Sequence, residues 1–281
     1  MGCGPQPTQQ RLVRCSAGAV RGYGVFPASV ATLFVISTVK AHRARSFRFR
    51  GGVARVTAWN GRPDIASLAL HGSDTPSPRT LRRVLTRLSH AGYREVVTNA
   101  LAPGASLPLV DAGFAVRGRL HLLSYDFDEP GLADTPRGPR RTRRANRTDR
   151  PEILRVDAAA FDDFWRFDAA ALREATHATP RAHMRVASTI DASAERTIDG
   201  YGLFGRSGSA GYVQRLAVAP SAAGDGVGRS LLCDGLRWLR SHGAQRVYVN
   251  TQDDNARALD LYLRNGFTQL PVGLCVLGRE L

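Results

Sequence analysis

Chemistry first becomes possible where Leu216-Ala217-Val218-Ala219-Pro220 runs into Ala223-Gly224-Asp225-Gly226-Val227-Gly228-Arg229-Ser230. A strand-like apolar run ends there, glycines remove side chains, and an apolar helical period begins. Such a turn aims unpaired backbone N–H groups and the positive end of a helix dipole at one point, which suits a pyrophosphate. Further along, Asn255, Leu259 and Tyr262 are spaced i, i+4 and i+7. Their carboxamide and phenol therefore share one helix face, about two turns apart. The third candidate group is aromatic: Phe161, Phe164, Trp165 and Phe167 place four of the chain's 21 aromatic residues within seven positions.

These motifs resemble the GCN5-related N-acetyltransferase (GNAT) superfamily over roughly residues 152–281. The family pattern Val-x-Pro-x-x-(Gln/Arg)-Gly-x-Gly-x-(Gly/Ala) falls on Val218 to Gly228. Its second pattern, Asn-x-x-Ala-x-x-Leu-Tyr-x-x-x-Gly-Phe, is matched by Asn255, Ala258, Leu261, Tyr262, Gly266 and Phe267. The resemblance implies a mixed-sheet α/β fold and acetyl-CoA as co-substrate, with no metal. By the same carry-over the backbone of Leu216, Ala217 and Val218 pairs with pantetheine, and amides of Gly224, Asp225, Gly226, Val227, Gly228, Arg229 and Ser230 hold the pyrophosphate. Asn255 contacts the pantetheine arm, and Tyr262 protonates the departing thiolate. The acceptor implied is a primary amine of a small molecule or peptide, attacking the thioester directly.

Two positions depart from the pattern. Ala223 stands where Gln or Arg is usual, and Asp225 brings a negative charge to the expected pyrophosphate. Both leave the backbone donors in place, so weaker cofactor binding is expected, with Arg229 available to offset Asp225. A general base is harder to find. An alkylammonium must lose a proton before it attacks, and family members often supply a carboxylate or histidine from the strand before the loop. That strand alternates Tyr212 and Gln214 on one face with Val213 and Arg215 on the other. Tyr212 acting through an ordered water is one candidate; Asp168 and Glu174 are others. In the family the first two helices wall the acceptor pocket, so Phe164, Trp165, Phe167 and Asp168 are expected to line it. Core packing is an equal role for the aromatic cluster.

The elements that must position these residues follow from periodicity. VARVTAW and IASLAL read as strands, and Ser77-Pro78 opens a helix through Leu81, Val84, Leu85 and Leu88. YREVVTNAL, an apolar helical segment and the strand LHLLSYDF follow. After Pro151 the order reads strand (EILRV), a helix pair across AAFDDFWRFDAAALREAT, three strands, helix, strand, helix and a last strand LCVLGREL. The halves echo each other. LSHAGYREVVTNAL then DAGF matches LRSHGAQRVYVNTQ then RNGF, and each half closes with an apolar strand. The expected organisation is a poorly folded extension over 1–50, a degenerate GNAT-like domain over 51–130, an Arg-rich linker over 131–150 and the acetyltransferase domain over 151–281. The first copy has Leu109 where the second has Tyr262, and LHGSDTPSP where the second has its glycine loop. Chain duplication makes a monomeric pseudo-dimer the expected state.

Charge adds little to this picture. The net charge is +15, of which +10 lies in residues 1–63 and +5 in 131–150. A basic tail and linker lack a folded reading face, so nucleic-acid binding is a secondary reading; a non-catalytic acyl-CoA-binding module is another. Cys3, Cys15, Cys233 and Cys275 have no metal-ligand or C-x-x-C spacing and read as free thiols of a cytoplasmic protein. The apolar stretch Gly24–Val39, broken by Pro27 and lacking a cleavage site, is a poor signal peptide, and no membrane partner is expected. A misplaced start codon would account for the extension.

Overall fold

A computed structural model describes residues 45–72, 74–128, 138–190 and 196–281. Most of the expected extension and residues 131–137 of the expected linker lie outside these. The described chain forms one mixed sheet in the order β1-β2-β3-β4-β12-β5-β10-β9-β8-β7-β6, with the short β11 (Thr268–Gln269) paired to β5. Neighbours are antiparallel except β3–β4 and β9–β10, which run parallel.

The first half contributes β1 (Arg45–Phe49), β2 (Gly52–Trp59), β3 (Arg62–Gly72), α1 (Pro78–Ser89), β4 (Glu95–Thr98), α2 (Pro103–Asp111) and β5 (Ala115–Asp126). Helix α1 starts as its sequence dictates: the Ser77 hydroxyl accepts from the Thr80 N–H at 3.3 Å and Pro78 occupies the first turn. Its stripe Leu81, Val84, Leu85 and Leu88 is buried on Val56, Leu68 and Val96. Each such side chain contributes on the order of 1.5–3 kcal/mol on burial. Arg45–Phe49, expected to belong to the unfolded extension, is instead a strand, because Phe47 and Phe49 pack against this core.

The second half comprises β6 (Thr142–Arg144), α3 (Arg150–Ala160), α4 (Ala169–His177), β7 (Arg181–Ile190), β8 (Arg196–Ser207), β9 (Ala210–Val218), α5 (Val227–Ser241), β10 (Arg246–Gln252), α6 (Ala256–Arg264) and β12 (Leu274–Glu280). Two expectations are corrected here. The segment EILRV is helical, because Pro151 opens the first turn and Ile153, Val156 and Asp157 fall on one buried face. Phe161–Asp168 is then a connection between helices rather than helix. The end of the expected linker is also structured. Thr142–Arg144 pairs with β7, and an Asn146–Asp149 capping box with Arg143 bonded to both Asp149 carboxylate oxygens at 2.7 Å leads into α3.

The two closing strands are exchanged. LHLLSYDF, expected to complete the first half, runs antiparallel to β10 of the second, from Gln252↔Leu120 to Arg246↔Asp126. LCVLGREL in turn pairs with β4 of the first half, at Gly278↔Val97 through Glu280↔Glu95. The same two strands pair with each other at the centre of the sheet. Alternation decides the faces: Val96, Leu277 and Leu123 point to the side covered by α1, α5 and α6, while Val97, Val276 and Leu122 point to the other. That second side carries α3 and α4 over the second half. Among the described residues no helix is long and apolar enough to cross a membrane.

Candidate active site

Strands β9 and β10 are paired only at Ala210↔Arg246, Gly211↔Val247 and Tyr212↔Tyr248, and then part. A register shift in the β8–β9 ladder near Gln214 bends β9 away at that point. The parting opens a cavity of ≈ 1130 Å³ walled by Val213–Leu216 on one side and Val249–Gln252 on the other. Asn255, Ala258 and Tyr262 of the following helix close one end.

The glycine loop lies at the far end of β9, past a 3₁₀ turn at Pro220–Ala222. Gly224 and Gly226 adopt φ of +99° and +78°, a left-handed backbone that favours glycine at both positions. Gly226 is the N-cap of α5, so the first-turn amides of Val227, Gly228 and Arg229 have no intrahelical acceptor. These residues are not part of the cavity wall. One side of the loop is covered by the chain leading into β6: a side chain on Gly138 would collide with Ser230, and one on Gly226 would collide with Pro139. The Arg140 N–H donates to Ser230 Oγ at 2.8 Å, and its guanidinium donates to the Asp225 carbonyl and Oδ2, both at 3.1 Å. Asp225 is thus offset by Arg140; Arg229, expected in that role, reaches Asn265 at 3.4 Å instead.

Tyr262 is 5% exposed, packs on Phe267 with ring centroids 5.5 Å apart, and still reaches the cavity. Burial pushes its phenol well above the usual tyrosine range, so it holds its proton. Asn255 caps α6, its Oδ1 accepting from the Ala258 N–H at 3.0 Å. Of the expected cofactor backbone, Leu216 lines the cavity, Val218 packs toward Val227 and Leu231, and Ala217 is buried against the α3–α4 layer.

The aromatic side of the cavity brings the two halves together. Trp165 and Phe167 line the cavity, and Phe164 lies behind them against Trp59, ring centroids 5.0 Å apart. The Trp59 indole and the Asn60 carboxamide both donate to the Phe164 carbonyl, at 2.8 and 3.1 Å, so the β2–β3 turn clamps the α3–α4 connection. Arg215 crosses beneath it, its guanidinium 3.4 Å from the Phe161 ring centroid and 3.9 Å from that of Phe167. Asp157, fully buried, receives Arg215, the Tyr201 hydroxyl at 2.5 Å and the Phe167 N–H at 2.6 Å. Neither Asp157 nor Trp59 stood out in the sequence. A carboxylate on the apolar stripe of a helix and an arginine in a buried strand were the available signals.

Two proposed residues are placed elsewhere. Tyr212 is 1% exposed, stacked with Tyr248 at 6.1 Å, and absent from the cavity wall, so the strand before the loop offers no base. Its phenol is pushed up by burial, which makes proton removal harder. Asp168 is the N-cap of α4, accepting from the Ala171 N–H at 2.7 Å, and is also off the wall. In the first half the corresponding strands β3 and β4 are tied where they would part: Asn99 Oδ1 accepts from the Leu70 N–H and the Asn99 N–H donates to Leu68 O, both at 3.3 Å. Among the described residues no cluster of His, Cys, Asp and Glu could hold a metal.

The splayed strands and the glycine-rich helix start both lie within residues 153–267, which match the model of the Acetyltransferase (GNAT) family. Over these residues the chain is similar to that family. A mycothiol acetyltransferase of Stackebrandtia nassauensis is 33% identical over 167 residues, covering 54% of this chain and 50% of the relative. The chain's matches span half the length or less of such curated relatives, down to 18%. A GCN5-related N-acetyltransferase from Kribbella flavida superposes with a TM-score of 0.60 at 14% identity, covering 89% of this chain and 92% of that one. A tandem GNAT protein from the clavulanic acid biosynthesis pathway gives 0.58 at 14% identity, covering 82% and 79%. These two show the same fold.

Proposed function

We propose that the chain transfers an acetyl group from acetyl-CoA to a primary amine by direct attack in a ternary complex. The observation that carries this is the parting of β9 from β10 into a cavity that meets both Asn255 and Tyr262. Unpaired strand edges there suit the pantetheine amides, and the α5 amides with Gly224 and Gly226 suit the pyrophosphate. Tyr262, protonated because it is buried, supplies the proton that the leaving thiolate takes. Bound together, the two substrates react without the cost of a bimolecular encounter.

The first half is the degenerate partner in this reading. Its strands are tied by Asn99 where a pantetheine would enter, and it contributes cavity wall instead, through Trp59, Asn60 and Ser67. Strand exchange supports a monomer whose halves act as a fixed pair. Indole faces with carboxamides and hydroxyls from Asn60, Asn250 and Thr251 suit a hydroxyl-rich amine. The name carried by the curated relatives makes amines of the mycothiol type the first acceptors to try. The test is thiol release from acetyl-CoA across amino-sugars, amino-acid conjugates, polyamines and peptides. Turnover with one class is expected; tight acetyl-CoA binding with no turnover on any amine would favour a non-catalytic acyl-CoA-binding module.

A further inference from the structure

An alkylammonium acceptor has to give up a proton, and the strand before the glycine loop does not supply a group to take it. The cavity does. Among the described residues on its wall there is one carboxylate, Glu174, and no histidine, cysteine or lysine; the remaining ionisable groups are arginines and the phenols of Tyr93 and Tyr262. Arginine stays protonated and a phenol holds its proton at neutral pH. Glu174 sits midway along α4, two turns in from the Asp168 cap, on the helix that packs beside the acceptor connection. It is half-buried, and among the described residues no hydrogen bond or ion pair engages its carboxylate. A buried carboxylate usually has a partner. From this geometry we infer that Glu174 binds the acceptor's ammonium and is the general base of the transfer, an assignment that rests on the acetyl-transfer reading above.

One proton passes from the ammonium to the Glu174 carboxylate, and the free amine attacks the thioester carbonyl, forming the C–N bond. Collapse of the tetrahedral intermediate breaks the C–S bond, and the thiolate takes the Tyr262 proton. The second nitrogen proton replaces it on the phenol, and Glu174 returns its own to solvent. Burial is the largest influence on Glu174, raising it above the usual glutamate range, with Arg173 opposing and Asp168 reinforcing that direction. The other charged or titratable groups on the same wall are Arg45 from β1, Tyr93 before β4, Arg173 beside it on α4, Arg215 from β9 with its partner Asp157, and Tyr262 from α6. A raised carboxylate is a stronger base, fully ionised only as pH rises through its own value.

The experiment compares wild type with Glu174→Gln, using glucosamine, cysteine and spermidine as ammonium acceptors and hydroxylamine as an amine already neutral at pH 7. Glu174→Gln is expected to lower kcat/KM for the ammonium acceptors by about 100-fold and to abolish the acidic limb of the pH profile. Its acetyl-CoA Kd is expected to stay within about twofold of wild type, and its rate with hydroxylamine, taken above the enzyme-free reaction, to fall far less than with the ammonium acceptors. An equal loss with both kinds of acceptor, or no loss with either, overturns the assignment. Failure of the wild type to bind acetyl-CoA would instead overturn the acetyl-transfer reading beneath it.

Discussion

Arg215 and Asp157 meet side-on beneath the α3–α4 connection, with Nε to Oδ2 at 2.8 Å and Nη2 to Oδ1 at 2.9 Å. The pair joins β9, on one wall of the cavity, to α3, which leads into the connection on the other. A third bond, from Arg215 Nη2 to the Trp165 carbonyl at 2.9 Å, fixes the connection itself. The carboxylate is fully buried and the guanidinium nearly so. Removing one partner strands the other in a dry environment. Asp157→Ala is therefore expected to cost about 3–5 kcal/mol of stability, read from urea unfolding. A loss under about 1 kcal/mol would mean that the pair is solvated and does not brace the site.

Tyr262→Phe removes one oxygen from a buried ring and leaves its packing on Phe267 intact. Turnover is expected to fall by about 100-fold while the acetyl-CoA Kd holds. The pH dependence has a definite sign. Burial raises the phenol, so its acid form persists as pH climbs. Wild-type kcat is expected to stay level through pH 10, roughly where an ordinary tyrosine would ionise. A decline at or below about pH 10, absent from the phenylalanine variant, would show that burial does not hold the phenol's proton.

Asp225 and Arg140 form an exposed pair at the glycine loop, 3.1 Å apart. Such a pair is worth at most about 1 kcal/mol, roughly fivefold in an equilibrium. Asp225→Asn is expected to tighten acetyl-CoA binding by up to that factor, since it lifts a like charge from the diphosphate. Arg140→Ala is expected to loosen it. Calorimetry at low and high salt checks both, because screening should shrink each effect. Unchanged affinity in both variants at low salt would put the diphosphate away from this loop.

The exchanged strands predict how the chain can be divided. A fragment of residues 138–281 lacks β5 and exposes the edge of β10, so it is expected to aggregate or melt without cooperativity. Co-expression with residues 45–128 should restore a one-to-one complex on size-exclusion chromatography. A 138–281 fragment that is monomeric and melts cooperatively would contradict this.

Much of the site was legible because local rules govern it. The glycine loop, the α6 cap and the stripe of α1 each depend on residues near one another in sequence, and each formed where its pattern indicated. What could not be read was long-range. LHLLSYDF and LCVLGREL are both apolar strands of similar length, and nothing in either says which half it will complete; that is fixed by pairing across more than a hundred residues. EILRV was misassigned because a short apolar run looks alike in strand and helix, and Pro151 at a helix start decided it. Asp157 was missed because its partners, Tyr201 and Arg215, are distant in sequence. Tyr212 has a suggestive position in the strand but is turned into the interior beside Tyr248.

Whether the gap between β9 and β10 holds acetyl-CoA is tested most directly by calorimetric titration of the full chain with acetyl-CoA. The expected result is a single site per chain with a submillimolar Kd, displaced by CoA. No heat of binding at millimolar acetyl-CoA, or two equal sites per chain, would contradict it.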